Sequence, residues 1–314
     1  MRVGIIGLGR MGANLALSAV EHGHEVVGHD RDAEAMDELA RHGVASAGSP
    51  ADLVDRLSSP RILLLYLPHG APTEAMCETL RDLLEAGDVV VDGGNSHWED
   101  SRRRHADFAR RGIRFVDMGT SGGISGARHG ACFRAGGDAD GYALVRPLLE
   151  DLAFDDHAVL FVGEPGSGHF TKLIHNAIEF GMVQAIAEGV ELLERSEFAL
   201  DLPALFDNWA HGSVIRSWLI ELMRDALREH PDLERLATYV EDTGEVKWVL
   251  DWALAQDIPS PVISESQQAL MCYRDVDWPA AKAVALLRHG FGGHPVHSAP
   301  PPTPVHSTAP SSTI

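Results

Sequence analysis

Short apolar runs alternate with amphipathic segments through the first half of the chain. The segments between these runs space their apolar residues at the helical period, as expected for helices that bury one side. Continuously apolar strands that alternate with helices are typical of a parallel sheet covered on both faces. The pattern therefore predicts a Rossmann-type, doubly wound α/β domain over residues 1–163. Its predicted strands are RVGIIG (2–7), EVVGH (25–29), RILLLY (61–66), DVVVD (88–92) and IRFVD (113–117).

The second half of the chain lacks strand-like runs, and its apolar residues follow the helical period. We therefore expect an all-α domain over residues 164–294, of the kind that supplies a substrate wall or a dimer interface. From Pro295 the chain is rich in proline, serine and threonine, which predicts a disordered tail over residues 295–314. The predicted helices of this half are 166–195, 213–229, 245–256, 260–273 and 279–289.

Charge and cysteine content narrow the class of protein. The formal net charge of −20 argues against nucleic acid or an anionic membrane surface as a partner. Cys77, Cys132 and Cys272 are far apart and form no CxxC pair, so neither a disulfide framework nor a zinc site is expected. Without an HExxH motif, we predict no metal. Neither a signal peptide nor an apolar run of membrane length is visible, so we expect a cytoplasmic protein.

The sequence GLGRMG, residues 7–12, joins the first predicted strand to the first predicted helix. In this motif Gly7 permits a tight turn, Gly9 lets a pyrophosphate approach the backbone, and Gly12 lets the helix pack closely on the strand. The N-terminus of the helix then faces the anion. The strand-turn-helix context predicts a dinucleotide site, and Arg10 is included among its expected contacts.

The sequence HDRD, residues 29–32, ends the second predicted strand. Asp30 occupies the position from which an acidic side chain accepts hydrogen bonds from the adenosine ribose. A carboxylate there repels a 2′-phosphate, which favours NAD. Arg31 could bind that phosphate, so NADP is also possible, although Arg31 could equally be a solvated surface charge.

Two glycine-containing loops follow predicted strands at the carboxyl edge of the sheet, where ligands of such sheets bind. In the loop DGGNS, Asn95 could orient a substrate hydroxyl or the cofactor amide. In the loop that contains Ser121, Gly122 and Gly123, a hydroxyl and successive backbone N–H groups could hold a carboxylate. A plain structural loop explains the second stretch equally well.

The sequence KLIHNAIE, residues 172–179, places four polar residues on one helical stripe bordered by apolar residues. A lysine whose pKa is lowered by burial or neighbouring charge can accept the proton of an alcohol during hydride transfer. Lys172 could be that base, Glu179 could donate a proton later, and His175 and Asn176 could hold hydroxyls. The alternative is a polar helix face at a subunit interface.

The chain resembles 6-phosphogluconate dehydrogenase, the decarboxylating enzyme, and more narrowly its short bacterial form with one helical unit. The resemblance lies in GLGRMGANLA, GDVVVDGGNSHWEDS, FVDMGTSGGISGARHG and GSGHFTKLIHNAIEFGMVQ, and continues more weakly from TGEVKW to LRHGFGGH. A Ser-Gly-Gly turn with a distant lysine occurs across the β-hydroxyacid dehydrogenases. The pattern K-x-x-H-N-x-x-E together with DGGNS is more specific to the 6-phosphogluconate enzymes.

The resemblance implies roles for individual residues. Lys172 would be the general base, Glu179 the general acid, and Met11 would lie against the nicotinamide. Lys247 and Arg274 would be candidates for contacting the substrate phosphate. The residues implied to hold the sugar acid are Asn95, Ser121, Gly122, Gly123, His175 and Asn176.

A C-terminal R-x5-H segment of the family reaches the site of a neighbouring subunit, and Arg288 and His294 keep that spacing. The resemblance therefore implies a homodimer or a larger assembly.

The chain departs from the family pattern at two places. Phe180 replaces a tyrosine whose hydroxyl reaches the phosphate, which removes one hydrogen bond worth about 1–3 kcal/mol. Asp30, Arg31 and Asp32 replace an NADP-type turn, which supports NAD or dual use.

The expected function is oxidative decarboxylation of 6-phosphogluconate to ribulose 5-phosphate and carbon dioxide with reduction of NAD or NADP. One alternative is a non-decarboxylating 3-hydroxyacid dehydrogenase on the same fold, against which Glu179 and His175 argue. Another is a catalytically silent dinucleotide-binding protein, which the intact Lys172, Asn176 and Glu179 disfavour.

Overall fold

The computed structural model describes residues 1–273 and 279–297 of the chain. These residues fall into two compact units. The domain boundary expected at residue 163 stays a prediction, and residues 298–314 of the expected disordered tail lie outside the described residues. The first unit consists of residues 1–182, 243–268 and 291–293. The described part of the second unit consists of residues 183–242, 269–273, 279–290 and 294–297.

An eight-stranded sheet forms the frame of the first unit. In chain order its strands are β1 (Arg2–Ile6), β2 (Glu25–His29), β3 (Ala45–Ser46), β4 (Ile62–Leu65), β5 (Val89–Asp92), β6 (Arg114–Ser121), β7 (Cys132–Gly137) and β8 (Val159–Gly163). Their order across the sheet is β3-β2-β1-β4-β5-β6-β7-β8. Neighbouring strands are parallel except β6 and β7, which are antiparallel.

Helices connect the strands, and helices alone follow β8 among the described residues. The structure thereby confirms the predicted fold class, a Rossmann-type sheet followed by an all-α region. The helices are α1 (Arg10–Glu21), α2 (Ala33–Arg41), α3 (Pro50–Asp55), α4 (Ala71–Leu83), α5 (Trp98–Ala109), α6 (Gly123–His129), α7 (Ala139–Asp151), α8 (Ser167–Glu194), α9 (Leu202–Ala210), α10 (Trp218–Glu229), α11 (Glu245–Ala255), α12 (Pro261–Cys272) and α13 (Pro279–Gly292), with a 3₁₀ turn at Leu233–Arg235.

Alternate residues of the central strands enter two separate hydrophobic cores, because successive side chains of a strand point to opposite faces. Val89 and Val91 pack into the core that contains Leu15 of α1. Val90, which lies between them, packs into the core that contains Phe108 of α5. Burial on both faces explains why these strands are continuously apolar in sequence.

The second unit contains α9, α10 and most of α13. Phe206 of α9, Met223 of α10 and Leu287 of α13 are fully buried, so each helix contributes to an apolar interior. The guanidinium of Arg288 donates a hydrogen bond to the carbonyl oxygen of Glu241. Across residues 1–273 and 279–297, each helix is too short or too polar to cross a bilayer.

Candidate active site

The glycine-rich turn between β1 and α1 has the backbone that its motif requires. Gly7 has a φ of 91°, a conformation that favours glycine, and a Cβ atom at Gly12 would overlap the carbonyl oxygen of Gly7. Beside Gly9, in contrast, a Cβ atom would meet nothing within 4 Å. Gly9 caps α1 without a side-chain hydrogen bond, which leaves the first N–H groups of the helix available to an anion. These features fit a dinucleotide pyrophosphate.

Asp30, which follows β2, holds two backbone segments at the nucleotide-binding edge. Its carboxylate accepts hydrogen bonds from the N–H groups of Leu8, at 2.6 Å, and Asp32, at 3.0 Å. Burial raises the pKa of this carboxyl, but the backbone N–H groups outweigh burial and the net shift is downward. Asp30 is therefore ionised at neutral pH and places a negative charge beside the glycine-rich turn, whereas the side chain of Arg31 is exposed.

A buried ion pair holds the loop that carries Asn95. Asp92, the last residue of β5, accepts hydrogen bonds from the Ser96 hydroxyl at 2.8 Å and from the Arg104 guanidinium at 3.1 Å. Its second oxygen accepts from the N–H of Gly94 at 3.2 Å. Asp92 and Arg104 are both buried, so the loop is fixed from inside while Asn95 stays half-buried at its outer edge.

Strand β6 positions the first turn of α8. The buried carboxylate of Asp117 accepts hydrogen bonds from the N–H groups of Gly166, at 2.7 Å, and His169, at 2.8 Å. It therefore satisfies two of the donors that a helix N-terminus leaves unpaired. Gly168 allows the close approach, because a Cβ atom there would overlap the carbonyl oxygen of Asp117.

The structure joins the Ser-Gly-Gly loop to the polar stripe of α8. Ser121 Oγ lies 3.2 Å from His175 Nε2, and His175 Nδ1 lies 3.2 Å from Asn176 Oδ1 and 4.0 Å from Glu179 Oε2. Because an amide oxygen can only accept, His175 Nδ1 donates to Asn176, and Nε2 then accepts from the Ser121 hydroxyl. The loop and the helix therefore present their polar groups to one place.

Lys172 and His175 have strongly shifted pKa values. The pKa of Lys172 is lowered to about 8, chiefly by burial and also by the charge of Arg134, while the charges of Glu179 and Glu245 oppose the shift. Burial also lowers the pKa of His175 to about 4, with contributions from the charges of Lys172 and Arg134. At neutral pH His175 is therefore neutral, and a useful fraction of Lys172 is an uncharged amine.

The C-terminal residues 291–293 lie against this site. A Cβ atom at Gly123 would overlap the carbonyl oxygen of Phe291. The guanidinium of Arg10 donates hydrogen bonds to the carbonyl oxygens of Gly292, at 3.2 Å, and Gly293. The end of α13 thus touches both the glycine-rich turn and the Ser-Gly-Gly loop.

Family comparisons identify the kind of enzyme to which these residues belong. The family model for the NAD-binding domain of 6-phosphogluconate dehydrogenase matches residues 2–163, and the model for the C-terminal domain of the same enzyme matches residues 168–274. The chain belongs to the 6-phosphogluconate dehydrogenase family. Both the resemblance and the NAD-binding domain predicted from the sequence are therefore confirmed.

Relatives from bacteria, archaea and a eukaryote agree with this family. The chain is 42% identical over 94% of its length to YqeC of Bacillus subtilis, a protein provisionally named 6-phosphogluconate dehydrogenase, and covers 98% of it. It is 39% identical, over the same shares of both chains, to the NAD-dependent, decarboxylating 6-phosphogluconate dehydrogenase of Haloferax volcanii. The structure superposes on Plasmodium falciparum 6-phosphogluconate dehydrogenase with a TM-score of 0.80 and 27% identity, covering 87% of this chain and 62% of that enzyme.

Other residues implied by the 6-phosphogluconate dehydrogenase resemblance belong to segments other than α8 or lie outside the described residues. Lys247 is exposed in the first turn of α11, and Met11 is partly buried against the sheet core. Arg288 and His294 belong to the second unit, where the N–H of His294 donates to the carbonyl oxygen of Arg288 at 3.5 Å. Arg274 lies outside the described residues.

Three residues near Lys172 were missed by sequence reasoning. Arg134 and Cys132 lie on β7, which the apolar pattern does not reveal, and Glu245 begins α11. All three act electrostatically on Lys172. The alternation in CFRAGG was the available signal, because residues 132 and 134 of a strand share a face. Among residues 1–273 and 279–297, no three His, Cys, Asp or Glu side chains are grouped as a metal site.

Proposed function

We propose that the protein catalyses the oxidative decarboxylation of 6-phosphogluconate to ribulose 5-phosphate and carbon dioxide, with reduction of a nicotinamide dinucleotide. The observation that carries this proposal is an amine and a carboxyl group on one stripe of α8. Lys172 has a pKa of about 8, and Glu179 is close enough to influence it. The amine suits a general base near neutral pH, and the carboxyl group suits a proton donor.

The glycine-rich turn and Asp30 would hold the cofactor, which supplies a hydride acceptor when bound. In the first step neutral Lys172 accepts the proton of the carbon-3 hydroxyl. The resulting ammonium lies beside the new ketone and stabilises the negative charge that develops on its oxygen when carbon dioxide leaves. Glu179 then assists protonation of the enediol at carbon 1, which yields ribulose 5-phosphate.

The remaining polar groups of the site bind the substrate in this proposal. Ser121 and the adjacent backbone N–H groups of Gly122 and Gly123 receive the carboxylate, because successive N–H groups of a turn form an anion-binding concavity. Asn95, His175 and Asn176 hold hydroxyls. Because Phe180 has no hydroxyl, cationic side chains would bind the substrate phosphate. The candidates within the same subunit are Lys247 and Arg274. The candidates from a partner subunit are Arg288 and His294. The assembly would then be a homodimer or larger.

The preferred cofactor in this proposal is NAD. The ionised carboxylate of Asp30 repels a 2′-phosphate and accepts from ribose hydroxyls. The Haloferax volcanii relative is named as NAD-dependent, whereas NADP+ is described as the cofactor of the Plasmodium falciparum enzyme. Arg31 could bind a 2′-phosphate, so NADP is the alternative.

The test is an initial-rate assay that follows two products at once. Purified protein is mixed with 6-phosphogluconate labelled at carbon 1, and NADH or NADPH absorbance is recorded together with labelled carbon dioxide. We expect equal amounts of reduced cofactor and carbon dioxide, with NAD the better cofactor. Unphosphorylated gluconate, run in parallel, measures the contribution of the phosphate.

Two variants assign the chemistry to the stripe. Lys172→Met should abolish reduction while NADH binding, followed by fluorescence, is retained; Glu179→Gln should slow product formation more than cofactor binding. Glu188→Gln, an exposed carboxylate change on the same helix, is the matched control. Full turnover in Lys172→Met would overturn the assignment. Reduced cofactor without carbon dioxide would identify a non-decarboxylating hydroxyacid dehydrogenase, and neither product with any sugar acid would favour a silent binding protein.

A further inference from the structure

Arg134 lies on the face of the sheet that α8 covers. In the antiparallel ladder of β6 and β7, Arg134 pairs with Gly119, and Cys132 pairs with Ser121. Directly opposed residues of such a ladder point to the same face. Gly119 faces Lys172, so the side chain of Arg134 emerges on the same side of the sheet as the polar stripe.

The guanidinium of Arg134 is incompletely paired in the described residues. Its Nε and Nη2 atoms are buried, and neither has a hydrogen-bond partner within residues 1–273 and 279–297. Arg134 also forms no ion pair with a carboxylate there. A buried donor without an acceptor is costly, and it is more costly when the group is charged. An arrangement of this kind at a candidate site points to an anionic ligand.

The residues around Arg134 are the ones that, in the proposed function, contact the reacting end of the substrate. Its positive charge acts on both Lys172 and His175. Ser121, which lies two ladder pairs from the pair of Gly119 and Arg134, hydrogen-bonds His175. If Lys172 faces the carbon-3 hydroxyl, the carboxylate is two carbons away, whereas the phosphorylated carbon is three carbons away in the other direction. Of the two anionic groups of the substrate, the carboxylate is therefore the one closer to Lys172 and Arg134.

We propose that Arg134 is a substrate-binding residue whose guanidinium pairs with the carboxylate of the sugar acid. The inference rests on the proposed function and adds a specificity-determining cation to it. Because the charge of the carboxylate disappears when carbon dioxide leaves, this ion pair stabilises the bound substrate more than the transition state of decarboxylation. Removing it should raise KM more than it lowers kcat.

Direct binding of three ligands separates the carboxylate from the phosphate. Calorimetry would measure the affinities of 6-phosphogluconate, gluconate and glucitol 6-phosphate for the full chain and for its Arg134→Met variant. Methionine keeps much of the length of the side chain but carries no charge. We expect 6-phosphogluconate and gluconate, the two ligands with a carboxylate, to bind Arg134→Met roughly 10- to 100-fold more weakly, as for loss of a charged hydrogen bond. Binding of glucitol 6-phosphate, which has no carboxylate, should be unchanged. Arg134→Lys should recover part of the affinity, because it restores the charge without the planar fork.

Each other outcome overturns a stated part of the proposal. Unchanged binding of all three ligands in Arg134→Met, or weaker binding only of those with a phosphate, excludes the carboxylate pairing. Equal weakening of all three would show a structural role instead. Arg146→Met, an exposed change on α7, is the matched control and should leave every affinity unchanged. If the unaltered chain binds none of the ligands, the proposed function itself fails, and Arg134 loses its assigned partner with it.

Discussion

Gly119 lies directly beneath Lys172. A Cβ atom built on Gly119 would overlap Cβ of Lys172 and would stand 3.0 Å from the carbonyl oxygen of Gly168. The helix that carries the candidate base therefore rests on the bare backbone of β6. This contact fixes the distance between the amine of Lys172 and the edge of the sheet, where the substrate would lie.

Gly119→Ala should damage both stability and catalysis. The added methyl group has no room, so α8 must shift; overpacking of this kind costs about 1–3 kcal/mol of the free energy of unfolding. A displaced base should lower kcat/KM by about tenfold or more, because proton transfer depends on close positioning. Urea denaturation measures the first effect and initial rates measure the second.

Gly189→Ala is the matched control for that substitution. Gly189 lies in the same helix, and a Cβ atom there would meet nothing within 4 Å. Alanine in an open helical position should stabilise the protein by about 0.5–1 kcal/mol and leave kcat/KM unchanged. Equal behaviour of the two variants would show that the contact between Gly119 and Lys172 has no effect on either property.

The pH dependence of kcat/KM should report the titration of Lys172. The base must be neutral to accept a proton, and its pKa is about 8. Activity should therefore rise about tenfold per pH unit below pH 8 and level off above it. His175, with a pKa of about 4, should add no second limb between pH 5 and pH 9. A limb near the ordinary pKa of lysine, or no limb at all, would contradict this assignment.

Much of the sheet could be predicted from sequence because its central strands are buried on both faces. VVVD of β5 and ILLL of β4 are continuous apolar runs, and such runs leave few alternatives once helices flank them. β7 escaped prediction because CFRAGG contains a charged residue and two glycines, which weaken a strand pattern. Its antiparallel direction depends on pairing with β6, a contact that local sequence does not reveal.

The polar stripe of α8 could be predicted because helical spacing alone places its four residues on one side. The groups that hold this stripe in place could not be predicted from the sequence. Asp117 bonds the N–H of Gly166, which is 49 residues further along the chain, and Arg134 reaches the site from a neighbouring strand. Such partners become visible only when the register of β6 and β7 and the start of α8 are known.

Asp117→Asn should destabilise the start of α8. Both carboxylate oxygens of the buried Asp117 accept backbone N–H bonds, whereas asparagine has only one acceptor oxygen and turns an NH₂ donor toward the other N–H. One buried donor is then unpaired, which costs about 1–3 kcal/mol of the free energy of unfolding. Asp138→Asn is the control, because Asp138 accepts a single N–H, from Gly141, at the start of α7. Asparagine caps helices about as well as aspartate, so this control should change the free energy of unfolding little; similar losses in both variants would contradict the argument.

Asp30→Asn should weaken the discrimination between NAD and NADP. The negative charge that repels a 2′-phosphate disappears, while one of the two backbone bonds to Leu8 and Asp32 is also lost. We expect NADH to bind less tightly and the ratio of the NADPH to the NADH dissociation constant to fall about tenfold. Fluorescence titration of both reduced cofactors measures this ratio without depending on the identity of the substrate. Asp37→Asn removes an equal charge from an exposed position of α2 and should leave the ratio unchanged. A ratio that is insensitive to Asp30→Asn, or equally sensitive to both variants, would mean that cofactor choice does not depend on this carboxylate.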